Sequence, residues 1–317
     1  MTEPRPGATL EPMATTDATA AAARFEVERP RLVGLAYRIL GSRIDAEDVV
    51  QDAWLRYERA DPATVDEPAA WLTTVVSRLA LDQLRSARHR REAYVGPWLP
   101  EFVRAGDGAG SAPDPQLAAE LAESLTLGFL RVLEALGPVE RVVFLLADVF
   151  DVPHAQIATI VDRSPDATRQ IASRARRRVR DARPAGTGSH PPDDADVAVV
   201  HQMVAALATG EVDQVLRLLA DDAVLISDGG ASVKAARRPV VGADRVARFL
   251  TNLANRGIKL LDAEVTTLNG GTGVVLSWFG VTFCAFAFEV DDGVVRQIDI
   301  MRNPDKLPSL DLDGALE

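Results

Sequence analysis

The stretch "SPDATRQIASRARRRVRDAR", residues 164–183, decides how the rest of the chain is read. The chain of 317 residues carries a formal net charge of −11, yet residues 163–183 hold eight arginines against Asp166 and Asp181 alone. Ser164 followed by Pro165 is a helix-start pattern: serine satisfies an orphan N–H, and proline costs nothing at the first helical position. At about 100° per residue, Ala167, Ile171, Ala175 and Val179 share one face, while Arg169, Ser173, Arg176 and Arg180 lie nearly opposite. A second helix fits from about Pro153 to Val161, with only a tight turn between the two. Two helices so joined form a helix-turn-helix. Its basic face suits a major groove about 12 Å wide, where arginine neutralises phosphate and reaches guanine edges. A merely solvated arginine face is the ordinary alternative, and the acidity of the rest of the chain weighs against it.

Moving towards the N-terminus, residues 25–92 have apolar spacing suited to helices separated by short turns. In "IDAEDVVQDAWLRYERA", Asp45 is read as the N-cap; Ala46, Val49, Val50, Ala53 and Tyr57 form one face, and Asp45, Asp48 and Asp52 form an acidic one. A further helix starts near Pro68, carries Trp71, Leu72, Val75, Val76, Leu79 and Leu84, and ends in Arg85, Arg88, His89, Arg90 and Arg91. Cations at a helix C-terminus are stabilising, but five basic or titratable residues exceed that need. Residues 93–115 are rich in Gly and Pro and read as a linker, yet Val95, Trp98, Leu99, Phe102 and Val103 suit a docked segment better than a solvated tether.

Beyond "RPAGTGSHPPDD" the pattern changes class. Two helical segments (about 194–209 and 211–220) precede "AVLISDGG", a helix "GADRVARFLTNLAN", and strands "IKLLDAEVTTL", "GTGVVLSW", "VTFCAFAFEVDDG" and "VVRQIDIMR". Asn269 to Gly271 and Asp291 to Gly293 are hairpin turns. Helices followed by an antiparallel sheet indicate a separate α+β domain. Residues 1–115, 116–193 and 194–317 carry net charges of −4, 0 and −7, so the acidity belongs mainly to this last part.

The motifs "RLVGLAYRILGSRIDAEDVVQDAWLRYERA" and "AWLTTVVSRLALDQLRSARHRRE" resemble region 2 of the extracytoplasmic-function sigma factors of RNA polymerase, and residues 130–183 resemble their region 4. That resemblance implies that Asp45, Asp48, Gln51, Asp52 and Trp54 meet the β′ clamp helices of core RNA polymerase, with region 4 against the β flap. It implies that Arg78, Arg85, Arg88, His89, Arg90 and Arg91 act at the promoter −10 element. It gives the −35 element to Ser164, Thr168, Arg169, Ser173, Arg174, Arg176, Arg177 and Arg180. The last third resembles the SnoaL-like domain fused to the SigJ-like group. "WLPE" (Trp98, Leu99, Pro100, Glu101), "DGG" (Asp228, Gly229, Gly230) and "NPDKL" (Asn303, Pro304, Asp305, Lys306, Leu307) match that group's motifs as regulatory interdomain contacts. Phe102 stands where the group has proline, and Ala231 interrupts its glycine run.

The expected architecture is therefore multidomain: an all-α region 2 and an all-α helix-turn-helix region 4, followed by an α+β SnoaL-like cone domain with a curved antiparallel sheet. Its divisions are a disordered tail (1–23), region 2 (24–92), a linker (93–115), region 4 (116–183), a second linker (184–193), the SnoaL-like regulatory domain (194–307) and a tail (308–317). A fully extended first linker of about 75 Å lets the two reading helices sit about two DNA turns, of about 34 Å each, apart.

Other features bound this reading. Cys284 alone excludes an internal disulfide and fits the reducing cytoplasm, where it is read as a buried small hydrophobe; no apolar run is long enough to span a bilayer. His89, His154, His190 and His201 lack metal-ligand spacing, and neither metal nor cofactor is expected. Two other functions stay open. A helix-turn-helix repressor would hold duplex DNA without polymerase. Trp278, Phe279, Phe283, Phe286 and Phe288 suit a core or the wall of an apolar cavity in the last domain, which could take a small-molecule ligand or convert it, with Asp222, Asp228 and Asp299 as candidate acids or bases. Asp228 before two glycines reads first as a turn, so the chain is taken as non-enzymatic.

Overall fold

A computed structural model of the chain describes residues 13–60, 62–92, 94, 96–104, 125–182, 193–257 and 261–311. Helix α1 (Met13–Leu40) is followed by α2 (Arg43–Arg59) and α3 (Pro68–Glu92). The expected tail over 1–23 is thus shorter: α1 begins at Met13 and buries Ala21 and Phe25. The N-cap of α2 is Ser42 rather than Asp45. Its hydroxyl accepts from the Asp45 amide at 3.1 Å, which starts the helix at Arg43 and puts Asp45 in the first turn.

Helices α4 (Leu127–Leu133), α5 (Pro138–Asp148), α6 (His154–Val161) and α7 (Pro165–Ala182) form the second helical unit. Asp162 turns left-handed at φ 54° to end α6, and Ser164 accepts from the Ala167 amide at 3.2 Å to open α7. Local signals mark the ends of both helices, and Ile157, Ile160, Ile171 and Ala175 hold them in the shared core. The buried face of α7 is Thr168, Ile171, Ala172 and Ala175, rotated slightly from the expected one.

The last domain contains α8 (Asp194–Thr209), α9 (Val212–Leu216), β1 (Leu219–Asp228), β2 (Val240–Val241), α10 (Ala243–Asn255), β3 (Asp262–Leu268), β4 (Gly271–Trp278), β5 (Val281–Asp291) and β6 (Val294–Met301). The strand order is β2-β1-β6-β5-β4-β3. The sheet is antiparallel except between β1 and β6, which run parallel across the return connection. Three tight turns carry consecutive positive φ values: Asn269-Gly270, Phe279-Gly280 and Asp292-Gly293. Such pairs match the right-handed twist of the strands they join.

One face of this sheet packs against α8, α9 and α10 through Leu276, Cys284, Phe286, Phe288, Ile298 and Ile300, forming a core of its own. Burial pushes the Cys284 thiol up to about 12, which keeps it neutral. The opposite face offers Val275, Ala285, Ala287 and Met301 to a second core that runs through both helical units and through Leu99, Phe102 and Val103. The expected linker is therefore docked from Gly96 to Arg104. The last segment is also longer than expected, because the short 3₁₀ turn Leu307–Asp311 buries Ser309 and Leu310 within what was read as a tail.

Candidate functional site

Three sets of residues carry the expected contacts. On α2, Asp48, Gln51 and Asp52 are exposed, whereas Asp45 is partly buried. Trp54 is partly buried too, its ring 4.9 Å from Phe25 and 6.2 Å from Tyr57, so it braces α1 against α2 as well as edging the acidic surface.

On α7, Arg169, Ser173, Arg174, Arg176, Arg177 and Arg180 are all exposed. Thr168 is not: it is fully buried, with its hydroxyl donating to the Ser164 carbonyl at 3.0 Å, and it cannot reach a groove. Arg169 pairs with Asp166, Arg176 with Asp148 at 2.6 Å, and Arg178 with Glu140 at 2.6 Å. These are solvent-screened pairs worth roughly 0–1 kcal/mol each. Phosphates can replace them at little cost.

On α3, Arg85 is exposed, and the side chains of Arg88, His89, Arg90 and Arg91 lie outside the described residues. Arg78 is already engaged, donating to the Thr159 carbonyl of α6 at 2.8 Å. Gln156 of α6 donates to the Ala70 carbonyl of α3 at 3.2 Å, and Arg141 of α5 donates to the Ile39 carbonyl of α1 at 3.0 Å. Arg38 of α1 is buried with its guanidinium 5.4 Å from the Phe150 ring, and burial lowers its pKa to about 9. The two helical units are thus packed together rather than spread over two DNA turns.

Two joints tie this pair to the last domain. In the first, Asp228 is fully buried and accepts four bonds: from Tyr94 Oη at 2.5 Å, Leu99 N at 3.0 Å, Gly230 N at 3.0 Å and Lys306 Nζ at 2.7 Å. Lys306 also donates to the Leu99 carbonyl and lies 4.1 Å from the Trp98 ring centre. Asn303 donates to Tyr94 Oη at 2.8 Å, and Leu307 is buried nearby in the shared core, while Pro304 and Asp305 are exposed. Gly229 and Gly230 leave no room for a side chain: an added Cβ would lie 2.5 Å from the Val233 carbonyl or 2.7 Å from Asn303 Oδ1. The three quoted motifs therefore meet at one place.

Glu101 extends the same segment into region 2. Its carboxylate accepts from Ser42 Oγ at 2.8 Å, Arg43 N at 2.7 Å and Ile44 N at 3.2 Å, at the positive end of α2. Burial still raises its pKa, against those hydrogen bonds. Pro100 beside it is buried, and Gly41, at φ 68°, lies so close to Trp98 that a Cβ there would come within 2.7 Å of the ring.

The second joint was read from sequence only as a turn. Asn269 Oδ1 accepts from Val103 N at 3.1 Å, and its Nδ2 donates to Tyr37 Oη at 2.7 Å and to the Leu125 carbonyl at 3.1 Å. Tyr37 in turn donates to the Glu101 carbonyl at 2.6 Å. One amide thus touches region 2 and both ends of residues 103–125, from a hairpin of the last domain. Nearby, Arg131 of α4 bonds Asp299 at 3.0 Å and pairs with Glu289 at 3.5 Å. Burial raises Asp299 to about 6, with Arg131 acting in the opposite direction.

The three aspartates considered for catalysis do not converge. Asp222 is exposed and pairs with Arg296 at 3.6 Å, Asp228 is saturated by donors, and Asp299 faces Arg131. Trp278, Phe279 and Phe283 are 60, 87 and 41 % exposed rather than part of a core, whereas Phe286 and Phe288 are buried.

The protein thus combines two helical units, one of them a helix-turn-helix, an acidic α2 and a fused α+β domain. The family models for sigma-70 region 2 and sigma-70 region 4 match residues 25–90 and 127–179. The chain is 42% identical over 291 residues to the ECF RNA polymerase sigma factor SigJ of Mycobacterium tuberculosis, covering 89% of this chain and 91% of that one. It is 34% identical to the probable ECF sigma factor SigI of the same species, covering 91% and 95%. The crystal structure of Mycobacterium tuberculosis SigJ superposes with a TM-score of 0.71 at 37% identity, covering 92% of this chain and all of that one. The chain belongs to the extracytoplasmic-function RNA polymerase sigma factors, which direct the core enzyme to promoters and initiate transcription, and its likeness to SigJ extends through the fused α+β domain. Among the described residues, no helix is long and apolar enough to cross a membrane.

Proposed function

We propose that the described arrangement is a closed state of the sigma factor, in which the last domain and the docked linker fasten region 4 onto region 2. Asn269 carries this reading: it bonds Val103 and Leu125, the two sides of a segment whose full extension is about 70 Å, and so holds its ends together. Opening gives α3 and α7 the freedom to reach the −10 and −35 elements. On α7 the reading surface is Arg169, Ser173, Arg174, Arg176, Arg177 and Arg180, with Ser164 as the cap that sets its direction. On α3 it is Arg78, Arg85 and the basic residues to Arg91. Exposed Asp48, Gln51 and Asp52, bordered by Asp45 and Trp54, face core polymerase. The last domain acts by contact and not by turnover, as the separation of its candidate acids supports.

Run-off transcription with core polymerase tests the assignment. Arg174→Ala and Arg177→Ala should lower transcription from a cognate promoter at unchanged core affinity, by up to about 1–3 kcal/mol where a base contact is lost. Asp48→Ala with Asp52→Ala should weaken core binding instead. Tight binding of duplex promoter DNA by the chain alone would favour a repressor. Point variants are the right tool, because deleting residues 194–317 uncovers Leu99, Phe102 and Val103 of the shared core.

A further inference from the structure

Next to the Asp228 joint lies a cavity of about 490 Å³ that none of these contacts uses. Its volume falls within the range of about 300–1,000 Å³ that suits small ligands. Lys234, Arg256 and Arg302 line it, and among the described lining residues there is no carboxylate, although the domain as a whole is strongly acidic. Phe249, Leu253 and Phe283 supply apolar walls. Phe283 is placed there by a bulge: Leu276 pairs with Cys284 and Ser277 with Thr282, which leaves Phe283 as the extra residue.

Arg302 is the most informative member. Its guanidinium lies 5.1 Å from the Phe283 ring centre, and Nη1 donates to the Lys234 carbonyl at 3.2 Å. Its Nε is buried and has no hydrogen-bond partner among the described residues. A buried donor left unmet is costly, because it has given up its water without gaining an acceptor. An oxyanion satisfies such a donor with a charge-assisted bond, and the two neighbouring cations add attraction of the same sign. The aromatic and leucine walls then favour a hydrocarbon body over a bare inorganic ion.

We propose that this cavity binds a small amphipathic anion, its charged oxygens on Arg302 with Lys234 and Arg256 at the rim, and its apolar part against Phe249, Leu253 and Phe283. The site stands apart from the promoter-reading surfaces. It nevertheless adjoins the first joint: Ser227 and Arg302 line it, and the Arg302 amide donates to the Asp228 carbonyl at 2.7 Å.

Isothermal titration of the full chain with octanoate, octanol and octylammonium tests the proposal. Octanoate should bind at least tenfold more tightly than octanol, octylammonium should not bind, and added salt should weaken octanoate. Arg302→Met should weaken octanoate at least tenfold, with Arg302→Lys in between. Arg256→Met gives a second reading at an exposed helix end, and Phe279→Ser at the exposed hairpin should change nothing. Equal affinity for octanoate and octanol, an unchanged affinity in both Met variants, loss of binding in Phe279→Ser, or no octanoate binding at millimolar concentration would each overturn it.

Discussion

The two joints fasten the same domain by opposite means. Asp228 is a fully buried charge that meets a lysine, a tyrosine hydroxyl and two amides, and its partners outside the last domain all lie in residues 94–99. Asn269 is a neutral amide whose partners come from region 2, the docked segment and the start of region 4. A buried ion pair is costly to break because the remaining charge has nowhere to go, whereas an amide gives up its bonds singly and cheaply. The difference suggests a division of labour. Under the proposed closed state, the charged joint is the permanent fastening of the linker, and the neutral one is the catch that releases region 4.

The largest expected effect comes from breaking the charged joint. Asp228→Ala should cost about 3–5 kcal/mol, read as loss of hydrogen-exchange protection at the Leu99 amide. A change below tenfold there would show that the pair is not the fastening. Asn269→Gly should cost less, about 1–3 kcal/mol. Glycine keeps the left-handed turn at φ 50° while removing the side chain, so β3 and β4 stay paired while the Val103 amide loses protection. Loss of protection throughout the hairpin would instead mean that Asn269 matters only as a turn.

The smallest effect concerns Arg131 and Asp299. The Asp299 midpoint, about 6, stands above the ordinary carboxylate value of 3.8, so its ionisation disfavours the folded state. The stabilising contribution is complete below the ordinary value and is lost as pH rises through about 6. Arg131→Met removes an influence that lowers the midpoint, which should therefore rise above 6 in a carboxyl-carbon NMR titration. Asp299→Asn should flatten the pH dependence of urea unfolding between about pH 4 and 6. An unshifted midpoint in Arg131→Met would remove this contact from the catch.

What could be read in advance follows the range of the forces involved. The helix-turn-helix depends on Ser164, Pro165 and the spacing of apolar residues over two short helices, all local signals. The hairpins at Asn269-Gly270 and Asp292-Gly293 are likewise two-residue chemistry. The α2 cap was misplaced because Ser42 competes with Asp45 and gains from Glu101, 59 residues away. Thr168 was misassigned because a threonine one turn into a helix can bond its own backbone as readily as a groove. Nothing local marks the second task of Asn269, whose partners lie 144 to 232 residues distant. Packing of the two helical units was hidden for the same reason: Arg38, Arg78 and Arg141 look like surface charges until α5, α6 and Phe150 arrive.

The closed state is tested most directly by a distance between the two reading helices. Spin labels at the exposed positions Asp82 on α3 and Asp181 on α7, in a Cys284→Ala background, report it by pulsed dipolar spectroscopy. The free protein should give one narrow, short distribution. Asn269→Gly should broaden it towards longer distances, and core polymerase with promoter DNA should move it towards two DNA turns, roughly 70 Å. A free protein already spread over long distances, or a promoter complex that keeps the short one, would contradict the account.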